Sequence, residues 1–355
     1  MSEIAARRMH RQHLWGPALA SIDDVVRDFG AMQAQEFLPA KWSIAQRAAG
    51  ITDSDVDAAF AAGTLLRTHV LRPTWHFVHT ADIRWILAAS APRVHAVNGY
   101  YYRKTGVDDE AAARGRAVFA RVLADGRQLT RAELAGHLAA AGMPLTGVPL
   151  AYMIIHAELE GMLVSGAMRG KQHTYALLDS RTSAAPPPDR EEALAMLTRR
   201  YFACHGPATI KDYCTWASLT AGEARRSVAS LGTEVRTEVV GERTYLFVPG
   251  ASPPAAPPAS PVIDLLQDYD EYVFGYLDSR DVMLRRGGPE LPMPSRPRAL
   301  LLDGVALGFW QHTATKSAVE VSTVLPRRLT APESAAMQRA ADRFGAFLGL
   351  PAAWH

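Results

Sequence analysis

TRAELAGHLAAAGMPLTGVPLAYMIIHAELEGMLVSGAMRGKQHTYALL, residues 130–178, carries in one run the pattern from which the fold is read. Thr130-Arg131-Ala132-Glu133 is a capping-box sequence: the hydroxyl accepts from the N3 amide, the carboxylate reaches back to the cap amide, and a helix opens. A second helix runs through VPLAYMIIHAELEG (148–161). MLVSGAMRGKQHTYALL (162–178) then alternates as a hairpin with Arg169-Gly170-Lys171 at its tip. Short helices followed by a strand pair make the layout of a winged helix.

Working outward, the same layout recurs on both sides. Before it, IDDVVRDFGAMQ (22–33) and AKWSIAQRAAG (40–50) are helical by period. SDVDAAFAAG follows with Asp53 or Ser54 as N-cap, and LLRTHVLRPTWHFVH (65–79) supplies two extended runs. After it come EEALAMLTRRYFACHG, PATIKDYCTWASL, a second capping box at Thr220-Ala221-Gly222-Glu223, and the strand-like pair TEVRTEVV and RTYLFVP. Pro-rich SAAPPPDR (183–190) and PGASPPAAPPASPV (249–262) can be neither helix nor central strand and read as linkers. Beyond them VIDLLQDYDEYVFGYLDSR, ALLLDGVALGFWQHT and SAVEVSTVL are β-branched or aromatic, as in a small antiparallel sheet or barrel, and APESAAMQRAADRFGAFLGL closes as a helix. The expected class is α+β: three tandem winged-helix motifs over 1–125, 126–186 and 187–250, then a C-terminal antiparallel β-barrel with a terminal helix over 260–355.

Composition bounds what such a chain can do. With 355 residues and a formal charge of +2 it is an ordinary globular chain, without the strongly basic balance that marks a nucleic-acid binder. Most basic residues are Arg, which suits bidentate phosphate contacts but follows equally from a GC-rich genome. Cys204 and Cys214 stand outside any ligand cluster with zinc spacing and are expected as reduced thiols. There is no apolar leader and no run of about 18 apolar residues, so a cytoplasmic, nucleoid-associated protein with no membrane contact is expected.

The chain lacks H-E-x-x-H, G-x-S-x-G, P-loop and dinucleotide-glycine signatures, and no metal or cofactor is expected. Thr74-Trp75-His76-Phe77-Val78-His79 is the dense histidine cluster, and a buried, hydrogen-bonded His76 is its plain reading. Gln33-Ala34-Gln35, inside GAMQAQEFLPAKWSIAQR (30–47), is the other feature. Two amides are neither strong acid nor strong base, but they can hold a water. In a helix residues i and i+2 diverge, whereas in an extended segment they share a side, so convergence requires the helix to stop near Met32 or Gln33. Pro39 disfavours helical geometry at Leu38, which allows a break between 33 and 39. The bland alternative is that both glutamines merely solvate a helix end or bond loop backbone.

GAMQAQ with AKWSIAQR, LRTHVLRPTWHFVHTADIRWIL, RYFACHGPATIKDYCTWASL and DYDEYVFGYLDSRDVML, in that order, resemble the bacterial winged-helix DNA glycosylases, which include the azinomycin-resistance and interstrand-crosslink glycosylases. The resemblance implies a C-shaped body of three winged helices with a β-barrel, excising alkylated purines. It makes Gln33 and Gln35 the catalytic motif, in the Gln-x-Gln form. Alkylation at N7 or N3 makes the purine a cationic leaving group, so water has to be placed rather than strongly deprotonated. The partner is then double-stranded DNA carrying alkylated bases, met by a monomer. Trp75, His76, Asp270 and Tyr276 are pocket candidates.

For phosphates the candidates are Arg169 and Lys171 at the second hairpin tip, Arg225 and Arg226 on a third-copy helix, and Arg285 and Arg286 beside Gly287-Gly288. The competing class is a non-catalytic winged-helix regulator or damage-shielding protein. Against a regulator, VPLAYMIIHAELEG has no Arg or Lys to read bases and no sustained heptad is present.

Overall fold

The structure, a computed structural model, describes residues 2–183, 186–250, 257–284 and 297–355. Ser2 accepts from the Ala5 amide and opens α1 (Glu3–Arg11). Ser21 caps α2 (Ile22–Phe29), which ends at Gly30 with φ +74, and the chain passes directly into β1 (Ala31–Gln33). The expected helix over 22–33 is thus two elements. Glycine takes that backbone at low cost, and Ala31–Gln33 then pair with Val78–His76. Helices α3 (Phe37–Ala45) and α4 (Asp53–Ala62) follow, then β2 (Leu65–Val70) and β3 (Thr74–His79), in the sheet order β1-β3-β2. Pro39 lies inside α3 after all, because in the first turn a missing N–H forfeits no helical bond. The cap of α4 is Thr52, in a box with Asp55, rather than Asp53 or Ser54.

After the long α5 (Ile83–Thr105), the order helix, strand, helix, helix, strand, strand returns as α6 (Asp109–Val122), β4 (Leu129–Thr130), α7 (Arg131–Ala140), α8 (Gly147–Leu159), β5 (Leu163–Ser165) and β6 (Thr174–Leu177). Its sheet order, β4-β6-β5, repeats that of the first, and the Thr130/Glu133 box forms. The order occurs again as α9 (Arg190–Cys204), α10 (Ile210–Ala217), α11 (Ala221–Ser230), β7 (Arg236–Val240) and β8 (Arg243–Phe247). Here the first strand shrinks to a bridge between Ala208 and Leu246.

The remainder is β9 (Ile263–Leu265), α12 (Glu271–Phe274), β10 (Arg298–Leu302), β11 (Val305–Ala314), β12 (Val319–Val324), α13 (Ala331–Leu348) and β13 (Ala352–Trp354). In place of an antiparallel barrel there is a curled five-stranded half-barrel in the order β13-β12-β11-β10-β9, with β13 parallel to β12. The run 262–280, expected as strand, is strand only at Ile263–Leu265, since Asp270 accepts from the Tyr272 amide and starts α12 instead.

Packing ties these parts together. Trp42 of α3 shares a core with Trp310, Phe344 and Phe347 of the C-terminal module, and its indole donates to Leu265 O at 2.7 Å. The largest apolar cluster runs from Met9 through Trp85, Tyr201 and Trp216 to Tyr272, so α1, α5, α9, α10 and α12 are bound into one interior. Among the described residues no helix is long and apolar enough to cross a membrane. Both cysteines are free thiols.

Candidate active site

Gln33 ends β1 opposite His76. The extended backbone continues one residue further, because the Ala34 amide donates to Trp75 O at 2.7 Å. Alternation along an extended segment sends the side chains of residues 33 and 35 to one side. Gln33 is 6% exposed, whereas Gln35 is exposed.

Gln33 is held from two directions. Its backbone N–H donates to Glu271 Oε1 at 2.8 Å, and its Oε1 accepts from Arg72 Nη2 at 2.9 Å. Arg72 is delivered by the tip of the β2–β3 hairpin, where Leu71 turns at φ +58 and is itself fully buried. Pro73 of the same turn is exposed, but Leu71 and Arg72 point inward, and Arg72 Nη1 donates to Trp216 O at 2.9 Å.

His76 completes that corner. Its Nδ1 lies 2.9 Å from Thr74 O and its Nε2 3.2 Å from Arg72 Nη2, which fits a neutral ring donating through Nδ1–H and accepting at Nε2. Burial, then the nearby Arg72, bring its pKa down to about 3. His76 is thus the buried, hydrogen-bonded residue that its sequence context suggests.

Glu271 is the anion of the site. It is 1% exposed, accepts from Trp216 Nε1 at 2.8 Å, and lies 3.2 Å from His205 Nε2. Burial alone would raise its pKa, but the hydrogen bond and charge of His205, the charge of Arg72 and the Gln33 amide outweigh burial and bring it to about 2. The carboxylate is therefore ionised at neutral pH. The His205 ring stacks on Tyr201 with centroids 4.7 Å apart, and it sits so close to Gly275 that a Cβ there would come within 2.6 Å of His205 Cδ2. Glycine is required at 275 for this approach.

Arg72, His205, Trp216 and Glu271 are not singled out by the sequence, although each lies within a block that carries the resemblance. Glu271 is next to Asp270, a pocket candidate by sequence. Asp270 itself is fully buried, paired with Arg47 Nη2 at 2.7 Å and Nη1 at 2.9 Å. Tyr276 is 1% exposed, donates to His205 O at 2.7 Å and lies under the Arg8 guanidinium at 3.7 Å. Both are buried, with their polar atoms engaged by neighbouring side chains and backbone.

Trp75 is half-buried, with the Arg67 guanidinium 4.3 Å from its ring and the His69 ring centroid at 4.1 Å; its backbone N–H reaches Gln35 Oε1 at 3.4 Å. Arg67 also donates to Ala34 O at 2.9 Å and Gln35 O at 3.2 Å, and burial lowers its pKa to about 10. Phe37 and His173, ring centroids 5.0 Å apart, bring the second unit's hairpin beside the glutamines. On that hairpin Lys171 is exposed, but Arg169 is engaged by Glu133 at 2.8 Å and Gln128 O at 2.6 Å. Arg225 and Arg226 are exposed on α11. Arg285 and Arg286 lie outside the described residues.

Chemically, this arrangement fixes one amide rigidly, leaves a second at the surface, and keeps a buried negative charge behind the first. It suits a reaction that gains positive charge. The interstrand DNA cross-link repair glycosylase of Streptomyces sahachiroi is 26% identical over 330 residues, 87% of each chain. The solved structure of Streptomyces sahachiroi DNA glycosylase AlkZ matches with a TM-score of 0.78 at 24% identity, over 99% of this chain and 98% of that one, a likeness of fold. A family model described as DNA glycosylase AlkZ-like matches residues 26–347, and the chain belongs to that family of enzymes.

Proposed function

We propose that the protein hydrolyses the N-glycosidic bond of purines alkylated at N7 or N3 in duplex DNA. Bulky adducts and interstrand crosslinks, of the kind named for the Streptomyces relative, are included as substrates. Gln33 and Gln35 place the attacking water, and the three repeated units act as winged helices that hold the duplex. The observation that carries this reading is the frame around Gln33: an amide too weak to act as a base is nonetheless immobilised by Arg72 and by the ionised Glu271.

The chemistry follows from charge. An alkylated purine already carries the positive charge of a good leaving group, and the deoxyribose gains oxocarbenium character as the bond lengthens. With the Gln33 carbonyl locked by Arg72, its remaining lone pair and NH2 define one position for a water. Holding water there lowers the barrier by several kcal/mol, in line with the general value of orientation (on the order of 7–11 kcal/mol at most). Lys171, Arg225 and Arg226 are offered to phosphates, while Leu71 and Arg72 of the first hairpin's turn point inward and serve the site itself.

The test is strand scission by alkali after incubation with a duplex bearing N7-methylguanine, comparing the wild type with Gln33→Ala and Gln35→Ala. Scission lost in both variants, and no release of the neutral base uracil by the wild type, is the expected result. Unchanged scission in both variants removes the glutamines from the mechanism, and binding without scission in the wild type leaves only a DNA-binding role.

A further inference from the structure

Away from Gln33, α5 and α8 pack against each other and bring His95 together with His156 and Glu160. His156 and Glu160 are spaced i, i+4, so they share one face of α8 and its C-cap. One nitrogen of each histidine and one carboxylate oxygen all lie within 4.8 Å of one another. The two imidazole rings have centroids 4.8 Å apart. A cleft of about 450 Å3 lined by Arg84, Pro92, His95 and Glu160 gives solutes a way in.

We propose that His95, His156 and Glu160 bind a divalent metal ion of the zinc class, clamping α5 to α8.

Two details support the assignment. His95 Nε2 is 3.2 Å from Glu160 Oε1, and among the described residues nothing else hydrogen-bonds to it. With metal–ligand bonds of about 2.0–2.1 Å, the edge of a tetrahedron is roughly 3.3–3.4 Å, so these two atoms already stand at the separation of two ligands of one ion. Behind His95, Nδ1 lies 3.0 Å from Tyr102 OH; with Nδ1–H donating to that oxygen, Nε2 would present its lone pair to the ion, the outer-shell arrangement usual for a ligating histidine.

Arg116 opposes the ion. Its Nη1 lies 3.3 Å from His156 Nδ1, an interaction that a bound metal replaces. The site is therefore a competition between a guanidinium and a dication, and removing the guanidinium favours the metal.

The experiment uses the full chain, tag-free and stripped with chelator. ZnCl2 is titrated by calorimetry and CoCl2 by visible absorption, with the thermal midpoint followed in parallel. One equivalent of saturable binding, the intense ligand-field bands of tetrahedral Co2+, and a raised midpoint are expected. Glu160→Gln and His156→Ala each weaken binding by at least about tenfold, and Arg116→Met tightens it. Glu160 is exposed at a helix end, so Glu160→Gln keeps the fold, which circular dichroism verifies. Absence of stoichiometric binding in the wild type, or binding undiminished in Glu160→Gln, overturns the proposal.

Discussion

Replacing Glu271 by Gln keeps the volume and removes one charge. One carboxylate oxygen accepts from the Gln33 amide and the other from the Trp216 indole. A glutamine in either orientation points its NH2 at one of those donors, so one charge-assisted hydrogen bond becomes a clash and a buried donor is left unpaired. Arg72 also loses the anion that offsets its burial. Losing one member of such a buried set costs about 3–5 kcal/mol, a factor of roughly 10²–10⁴ in the folded-to-unfolded ratio. Urea unfolding gives the midpoint shift. Release of N7-methylguanine, measured where the variant is folded, gives the rate.

The decisive comparison is a double-mutant cycle with Gln33→Ala. If Glu271 acts through Gln33, the Glu271→Gln change lowers the rate in the wild type and adds nothing in the Gln33→Ala background. A stability loss below about 1 kcal/mol, or the same rate factor in both backgrounds, refutes the coupling.

Acid should weaken the fold through His76. Its folded pKa of about 3 lies below the ordinary 6.5, so protonation favours the unfolded chain. Stability from this residue is whole above pH 6.5 and drains away as pH falls towards 3. At pH 5 the loss is about 2 kcal/mol, read from urea midpoints at two pH values; an acid sensitivity equally large in His76→Gln would contradict it. For DNA, replacing Lys171, Arg225 and Arg226 by Ala should lower the slope of log affinity against log salt by about 0.9 for each phosphate these side chains neutralise. Fluorescence anisotropy against salt measures this, and an unchanged slope in the triple variant shows that these residues face solvent and not the backbone.

Local signals in the sequence were legible where a few neighbouring residues decide the outcome. The Thr130/Glu133 and Thr220/Glu223 boxes form as spaced, and the hairpin tip at Gly170, with φ +61, falls where Arg169-Gly170-Lys171 placed it. The convergence of Gln33 and Gln35 demanded a helix end, which comes three residues early because Gly30 reverses the backbone and the sheet claims Ala31–Gln33. Near Asp270 local reading failed. The aromatic run looks like strand, yet Asp270 and Glu271 are committed to Arg47, Trp216 and Gln33, partners that no periodicity reveals. Glu271 meets His205 across 66 residues and Trp216 across 55. The resemblance covers all these blocks, but only the fold shows that they converge on one carboxylate.

That long reach also sets a timetable for synthesis. The carboxylate that fixes the Gln33 backbone comes 238 residues later in the chain. At about 5–20 residues per second, a ribosome needs roughly 10–50 s to travel between them. Throughout that interval the nascent polypeptide displays both glutamines with no anion behind the first. On the role proposed for Gln33, the site stays incomplete until just over three-quarters of the 355 residues have been translated, and a message broken before codon 271 yields a fragment without that anion.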